Sequence, residues 1–396
     1  MRKLLIIAAC MFIGCGGDSS SELLNNNGET LGGADCNFVA QGLGPQGTVA
    51  VRAEIVARGL EVPWAMAFLP NGDILFTERP GRVRTIVGGS LSASPVVTLN
   101  VGEDGEGGLL GLALHPQFAS NRQFYVYYTF DKPSGTVNRV ERYLLSADGT
   151  TATADRIIID DIPAGTFHNG GRIRFGPDGN LYVGTGDARN PALSQNTSSP
   201  AGKILRLTPD GAIPTDNPFN GLATFISGIR NTQGFDWVNA VTLLVTDHGP
   251  TGELGRTGGD ELSVANPGDN LGWPDIWQCG QQEGLVNPVL GWAESAPPGG
   301  AAIYTGEAIE EWQGNLIVGT LGSKDLHRIV FEVEDGVLRV ANHETYLQGD
   351  PPTGYGRLRD VVNGPDGFLY VTTSNCDGRG DCPADGDYIL RIRPAL

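Results

Sequence analysis

The chain has 396 residues, of which 58 are glycine and 25 proline, with only 18% charged residues and a formal net charge of −18. No long stretch repeats apolar residues every 3.6 positions and the glycines follow no three-residue period, so helical bundles and collagen are excluded. The acidic balance offers no basic stripe to nucleic acid, and what remains is an all-β protein with glycine turns between many short strands and a 40% hydrophobic content sufficient for a large core.

The first element is a leader. Met1-Arg2-Lys3 is positive, and Leu4 to Gly14 is an apolar run too short to span a bilayer. Phe12-Ile13-Gly14-Cys15 resembles a bacterial lipoprotein processing site. The expectation is a signal peptide over residues 1–14 and an exported, periplasmic or outer-membrane lipoprotein anchored at Cys15. Ile7-Ala8-Ala9-Cys10 is a second candidate with a shorter apolar run. Residues 15–49 are expected to form a flexible tether, and residues 50–396 one domain. Beyond the leader, Cys36, Cys279, Cys376 and Cys382 are even in number, as disulfides in an exported chain require. Cys376 and Cys382 flank a short loop and form the simplest pair, which leaves Cys36 for Cys279. Three pairings remain open.

A phrase then recurs along the chain, an apolar stretch followed by a Pro/Asn/Asp-Gly turn and a strand. It reads Phe68-Leu-Pro-Asn-Gly-Asp-Ile-Leu-Phe-Thr77, Phe175-Gly-Pro-Asp-Gly-Asn-Leu-Tyr-Val-Gly184 and Asn363-Gly-Pro-Asp-Gly-Phe-Leu-Tyr-Val-Thr372, with weaker copies between. From Ile74 through Phe124, Leu181, Leu243 and Leu316 to Leu369 the steps are 50, 57, 62, 73 and 53 residues. Six such units suit four-stranded blades joined by Asn-Gly and Asp-Gly hairpins, so the expected fold is a six-bladed β-propeller. Chemistry in such a fold belongs to loops at one end of the central channel, and the longest step points to residues 247–311.

Four loop motifs carry the chemistry. Thr166-Phe-His-Asn-Gly-Gly-Arg-Ile173 exposes His168 on a tight turn, where an imidazole could accept a proton from an alcohol. Gly228-Ile-Arg-Asn-Thr-Gln-Gly234 packs Arg230, Asn231 and Gln233 into a dense donor set suited to anionic oxygens. Asp247-His-Gly-Pro-Thr251, Gly258-Gly-Asp-Glu261 and Asn270-Leu-Gly-Trp-Pro274 combine turn carbonyls with carboxylates, the hard-oxygen ligands that Ca²⁺ takes. Gly354-Tyr-Gly-Arg-Leu-Arg-Asp360 puts Arg357 and Arg359 on one strand face. No Gly-x-Gly-x-x-Gly opens a helix after a strand, and no Gly-x-Ser-x-Gly elbow is present.

Taken in order with Pro63-Trp-Ala-Met-Ala-Phe68 and Gly107-Gly-Leu-Leu-Gly-Leu-Ala-Leu-His-Pro116, these motifs resemble the soluble quinoprotein glucose/sorbosone dehydrogenases, including the periplasmic aldose sugar dehydrogenases. The resemblance spans about residues 50–394 and implies pyrroloquinoline quinone (PQQ) and Ca²⁺ as cofactors. It implies an aldose as substrate, oxidised at the anomeric carbon to a lactone. An external quinone or cytochrome would take the electrons. His168 would accept the hydroxyl proton and Arg230 would stabilise the developing oxyanion. Arg230, Asn231, Gln233, Arg357 and Arg359 would hold PQQ. The carbonyls of Gly249 and Pro250 would bind the catalytic Ca²⁺, and Glu261 with the carbonyl of Leu271 a second, structural Ca²⁺. Glycines such as Gly170 and Gly249 would keep side chains away from cofactor and metal.

Three positions depart from the family pattern. Glu106 stands where the family usually has Gln, Leu321-Gly-Ser-Lys324 displaces by two residues the Lys that pairs with PQQ, and Phe167 stands where the glucose enzymes have Asp. Glu106 and Lys324 are counted with the cofactor-binding set, and their effect would fall on PQQ affinity rather than on the fold. The alternative reading is a carbohydrate-binding propeller lipoprotein that keeps the scaffold and binds PQQ poorly.

Overall fold

A computed structural model describes residues 29–256 and 258–395. The signal peptide over 1–14, lipidation at Cys15 and the tether as far as residue 28 lie outside the described residues.

The recurring phrase forms the same local structure each time. In three copies the glycine N–H closes a tight turn, from Gly72 to Leu69, Gly179 to Gly176 and Gly367 to Gly364. The preceding Asn71, Asp178 or Asp366 caps the turn by accepting a backbone N–H two residues on. Gly72 and Gly179 have φ of 87° and 76° with open space where a Cβ would stand, so glycine is needed there for its backbone angle.

Among the described residues the strands form six sheets, antiparallel except where two short N-terminal strands join edges in parallel. In chain order their first strands are Pro63–Phe68, Leu109–Leu114, Ile173–Phe175, Gly234–Trp237, Pro298–Ile303 and Leu358–Asn363. Each pairs with the strand carrying one of the repeat markers: Ile74–Glu78, Gln123–Lys132, Leu181–Gly184, Leu243–Asp247, Leu316–Thr320 and Leu369–Thr373. The first strands of sheets one and two, two and three, four and five, five and six, and six and one lie against each other. Sheets three and four are joined by the Gly186–Asn231 bridge and the Arg174–Asp236 ion pair. The sixth sheet is completed by Val51–Leu60, which pairs with Asp387–Pro394 and so ties the start of the domain to its end.

Apolar clusters between neighbouring sheets include Trp64, Trp292 and Trp312, each at most 2% exposed. At the axis Arg172 and Asp360 form an ion pair at 2.8 Å with side chains 3% and 0% exposed. Arg172 also donates to the Gln233 carbonyl and lies over the Trp64 ring, while Asp360 accepts the Met66 N–H. This plug joins four sheets.

Strand polarity then fixes two mouths. The starts of first strands and the ends of second strands emerge at one end of the ring, and the ends of first strands at the other. The second mouth is a cavity of about 680 Å³ lined by Met66, Leu114, Phe175, Trp237, Ile303 and Asn363, one from each sheet in turn.

The segment before residue 50 departs from the tether reading. Gly32–Gly33 pairs with Val337–Tyr346, Asn37–Val39 pairs with Leu290–Trp292, and Gln46 bridges Thr345. Edge strands with unpaired N–H and C=O groups accept added strands, and a polar, glycine-rich sequence gives no hydrophobic alternation to announce it. Disulfides join Cys36 to Cys279 and Cys376 to Cys382, so the first pins this segment to the body. No helix among the described residues is long and apolar enough to cross a membrane.

Candidate active site

The other mouth is a cavity of about 360 Å³ built from the loops of all six sheets. Six arginines line it: Arg79, Arg189, Arg230, Arg357, Arg359 and Arg379. Against Glu106, Glu253 and Asp377 they leave a formal charge of +3, in a chain whose net charge is −18. A concave site with that local excess attracts a polyanion.

His168 lies on the turn before Ile173–Phe175 with φ of 63°, a left-handed angle that costs a non-glycine residue about 1–2 kcal/mol. Its neighbours hold it there. The His168 N–H donates to Glu106 Oε2 at 3.0 Å, and Nδ1 lies 2.8 Å from Asp187 Oδ1. Asp187, itself 0% exposed, also accepts Trp273 Nε1–H at 2.9 Å and the Arg189 N–H at 2.8 Å. With Nδ1 committed to a carboxylate, Nε2 faces the cavity as the proton acceptor. The loop carrying Asp187 is stapled by Lys203, whose buried ammonium donates to the carbonyls of Leu193, Ser194 and Ala201 at 2.8, 2.9 and 2.7 Å. Gly170 is required by the fold: a Cβ there would stand 2.5 Å from Thr185 Cα. Likewise a Cβ at Gly249 would stand 2.2 Å from the Gly259 carbonyl carbon. Both glycines are thus required by backbone packing.

Arg357 donates through Nε and Nη2 to Asp377 at 3.0 and 2.8 Å and through Nη1 to the Leu321 carbonyl. Arg359 reaches Ser374, Gln233 and Asp377. Burial pushes Arg359 down to about 10, which leaves it cationic at neutral pH. Burial acts to raise Asp377, and Arg359 and Arg357 outweigh it. Gln233 Oε1 is thus committed to Arg359.

His168, Arg230, Gln233, Glu106, Arg357 and Arg359 therefore converge on one cavity. Two of the expected catalytic and cofactor-binding residues do not. Asn231 lies behind the wall, 0% exposed, where its Oδ1 accepts the Gly170 N–H and its Nδ2 faces His248 Nδ1 at 3.3 Å, so that it holds the His168 turn. Lys324 is turned away, held by Asp350 at 2.6 Å, because residues 321–324 bend at a left-handed Lys324. The displaced lysine is thus not replaced by its neighbour.

Glu106 finds a partner that local sequence did not reveal. Its Oε1 meets Arg379 Nη1 at 2.7 Å, across 273 positions of chain. Burial acts to raise Glu106, and Arg379 with the His168 N–H outweighs it, so the carboxylate stays ionised. Arg379 projects from the loop closed by Cys376 and Cys382. Phe167 lies between two cations, 5.4 Å from Arg189 and 5.1 Å from Arg379. Asp187, Arg189, Glu253 and Arg379 were not legible. A usable signal for Asp187 was its place just past the third marker strand.

The expected cation ligands lie on neighbouring turns. Gly249 and Pro250 connect His248 and Thr251, both on the cavity wall. Gly249 N–H is held by Asp260, and among the described residues the two carbonyls accept no hydrogen bond. Burial pushes His248 down to about 3, and its Nε2 lies 2.7 Å from the Pro298 carbonyl, so it stays neutral. Glu261 is 5% exposed with Oε2 unpartnered, and burial followed by Asp247 pushes it well above the usual carboxylate range. Free turn carbonyls and an orphaned carboxylate oxygen fit hard-cation sites. Leu271 lies outside the cavity lining, with its N–H bonded to Ser227. Among the described residues no group of three or more His, Cys, Asp or Glu side chains is arranged to hold a metal.

The glucose/sorbosone dehydrogenase family model matches residues 60–390. The chain belongs to this family. It is 33% identical over 355 residues to the aldose sugar dehydrogenase YliI of Escherichia coli, covering 83% of this chain and 91% of that protein. The PQQ-bound aldose sugar dehydrogenase of Streptomyces coelicolor is 35% identical, with a TM-score of 0.77 over 88% of this chain and 99% of that one. The apo-form soluble aldose sugar dehydrogenase of E. coli is 31% identical, with a TM-score of 0.72 over 87% of this chain and 100% of that one. The chain is thus a dehydrogenase-family member, nearly all β, whose expected base and arginines share one pocket.

Proposed function

We propose that the chain is a six-bladed propeller enzyme that oxidises aldose sugars at the anomeric carbon to lactones, using PQQ and Ca²⁺. The observation that carries this reading is the six-arginine cavity beside a histidine whose Nδ1 is held by a buried carboxylate. An excess of +3 suits a cofactor bearing three carboxylates.

When bound, PQQ supplies the hydride acceptor and Ca²⁺ a Lewis acid at its quinone side. Arg357, Arg359 and Arg230 would hold the anionic cofactor, with Gln233 fixing Arg359. The carbonyls of Gly249 and Pro250 would take the catalytic Ca²⁺, and Glu261 with the Leu271 carbonyl a structural one. His168 Nε2 would remove the C1 hydroxyl proton as hydride left C1 for the bound cofactor, and Asp187 would steady the imidazole as it gained charge. Arg230 would stabilise negative charge that develops on the bound cofactor. Electrons then leave to an external acceptor such as a quinone or cytochrome. Export through the 1–14 leader and anchoring at Cys15 complete the proposal. The Glu106–Arg379 pair supports PQQ binding, since it neutralises the carboxylate that departs from the family pattern.

The test is reconstitution of purified cofactor-free protein with PQQ and Ca²⁺, followed by dye reduction with a panel of aldoses. Aldose-dependent reduction that needs both additions is the expected result. No reduction with any sugar, and no PQQ retained after desalting, overturns it.

A further inference from the structure

Glu253 stands on the cavity wall between the two groups on which the chemistry depends. Its Oε2 accepts Arg230 Nε–H at 2.8 Å, and its Oε1 lies 3.6 Å from His168 Nε2. Its side chain is 18% exposed, while Arg230 and His168 are 4% and 8% exposed. Arg230 otherwise reaches only the His248 carbonyl with a side-chain donor, among the described residues. The carboxylate therefore supplies the countercharge that a nearly buried guanidinium needs.

The same position is where an anionic cofactor and a sugar hydroxyl must arrive. Arg230 cannot give its Nε–H to Glu253 and to a second anion with full strength, and a carboxylate already sits beside the nitrogen that must meet the hydroxyl.

The segment bearing Glu253 is a glycine-flanked turn with room around it. Gly252 and Gly255 have φ of 75° and 71°, with nothing within 4 Å of where a Cβ would be. Leu254 between them is left-handed at 50° and 59% exposed, an apolar side chain with no core to enter. The segment closes on itself through Gly252 N–H to the Arg256 carbonyl and Arg256 N–H to the Glu253 carbonyl. Arg256 anchors the far end, stacked 3.4 Å from the Trp277 ring and bonded to the Pro274 carbonyl. Between His248 and Arg256, the Glu253 carboxylate is the side-chain tie to the opposite wall.

Resting on the reading of the cavity as a PQQ site, we propose that Glu253 is a tethered competitor for the anionic cofactor. In the cofactor-free chain it occupies the Arg230 subsite and screens His168; cofactor entry displaces it by hinging residues 252–255. A tethered anion competes at a high effective concentration, so it sets cofactor affinity without touching the bound cofactor.

The experiment is equilibrium dialysis of PQQ, in Ca²⁺ buffer, against cofactor-free wild type, Glu253→Gln and Glu253→Ala. Thermal melting confirms that each variant is folded. Removing the charge is expected to lower the PQQ Kd by about tenfold, which corresponds to about 1.4 kcal/mol. An unchanged or higher Kd in both variants overturns the inference while leaving the cofactor reading intact, because Glu253 would then support the cofactor or its cation. Failure of all three proteins to bind PQQ overturns the cofactor reading, and the inference with it.

Discussion

The two mouths of the channel are made from opposite ends of the same strands, yet they differ in kind. One is lined by six arginines, three carboxylates and two histidines, all on loops except Arg359, the second residue of its strand. The other is lined by Met66, Phe68, Leu112, Ile173, Phe175 and Ile303 among others, with one ion pair, Arg174–Asp236. Between them Arg172 and Asp360 close the axis. Strand geometry supplies the wall at both ends. Only the loops at the first end bring charges from five of the six sheets to one point, so chemistry follows loop content and not the scaffold.

Three substitutions test that contrast. His168→Gln at the charged mouth is expected to lower aldose turnover by about 10²- to 10⁴-fold while PQQ is retained after desalting. Turnover within a few-fold of wild type would mean that the base lies elsewhere. Arg172→Met at the plug leaves Asp360 buried without its cation, and is expected to cost about 3–5 kcal/mol in denaturant unfolding. A loss below about 1 kcal/mol would show that the two mouths do not share that closure. Asp236→Asn at the far mouth breaks a pair whose side chains are each 20% exposed. Its expected cost is about 0–1 kcal/mol with kcat and KM unchanged, and a clear kinetic effect would erase the distinction between the ends.

Much of this was legible because it is local in the chain. The six markers all fall in second strands, since a turn followed by an apolar strand is written in ten consecutive residues. His168, Arg230 and Gln233 were found because each sits in a glycine-bounded loop next to a first strand. What was not legible is what the ring closure brings together. In sequence Glu106 is only a departure from the family pattern, and the fold alone sets Arg379, 273 residues away, against it. Asp187 and Glu253 are ordinary acidic loop residues in sequence, and only the fold sets one on each nitrogen of His168. Lys324 shows the converse, since two residues of displacement on a bend send the ammonium to Asp350. The docked segment before residue 50 escaped notice because backbone pairing at sheet edges needs no side-chain pattern.

Under the proposed function, one mouth binds the cofactor and the other does not. Hydrogen–deuterium exchange of the Ca²⁺-loaded chain, with and without PQQ, measures this directly. Added protection is expected in the loops around residues 105–108, 167–171, 230–233 and 357–359, and none around 66–69, 174–177 or 302–305. Protection at the second set of segments, or at neither, would contradict it.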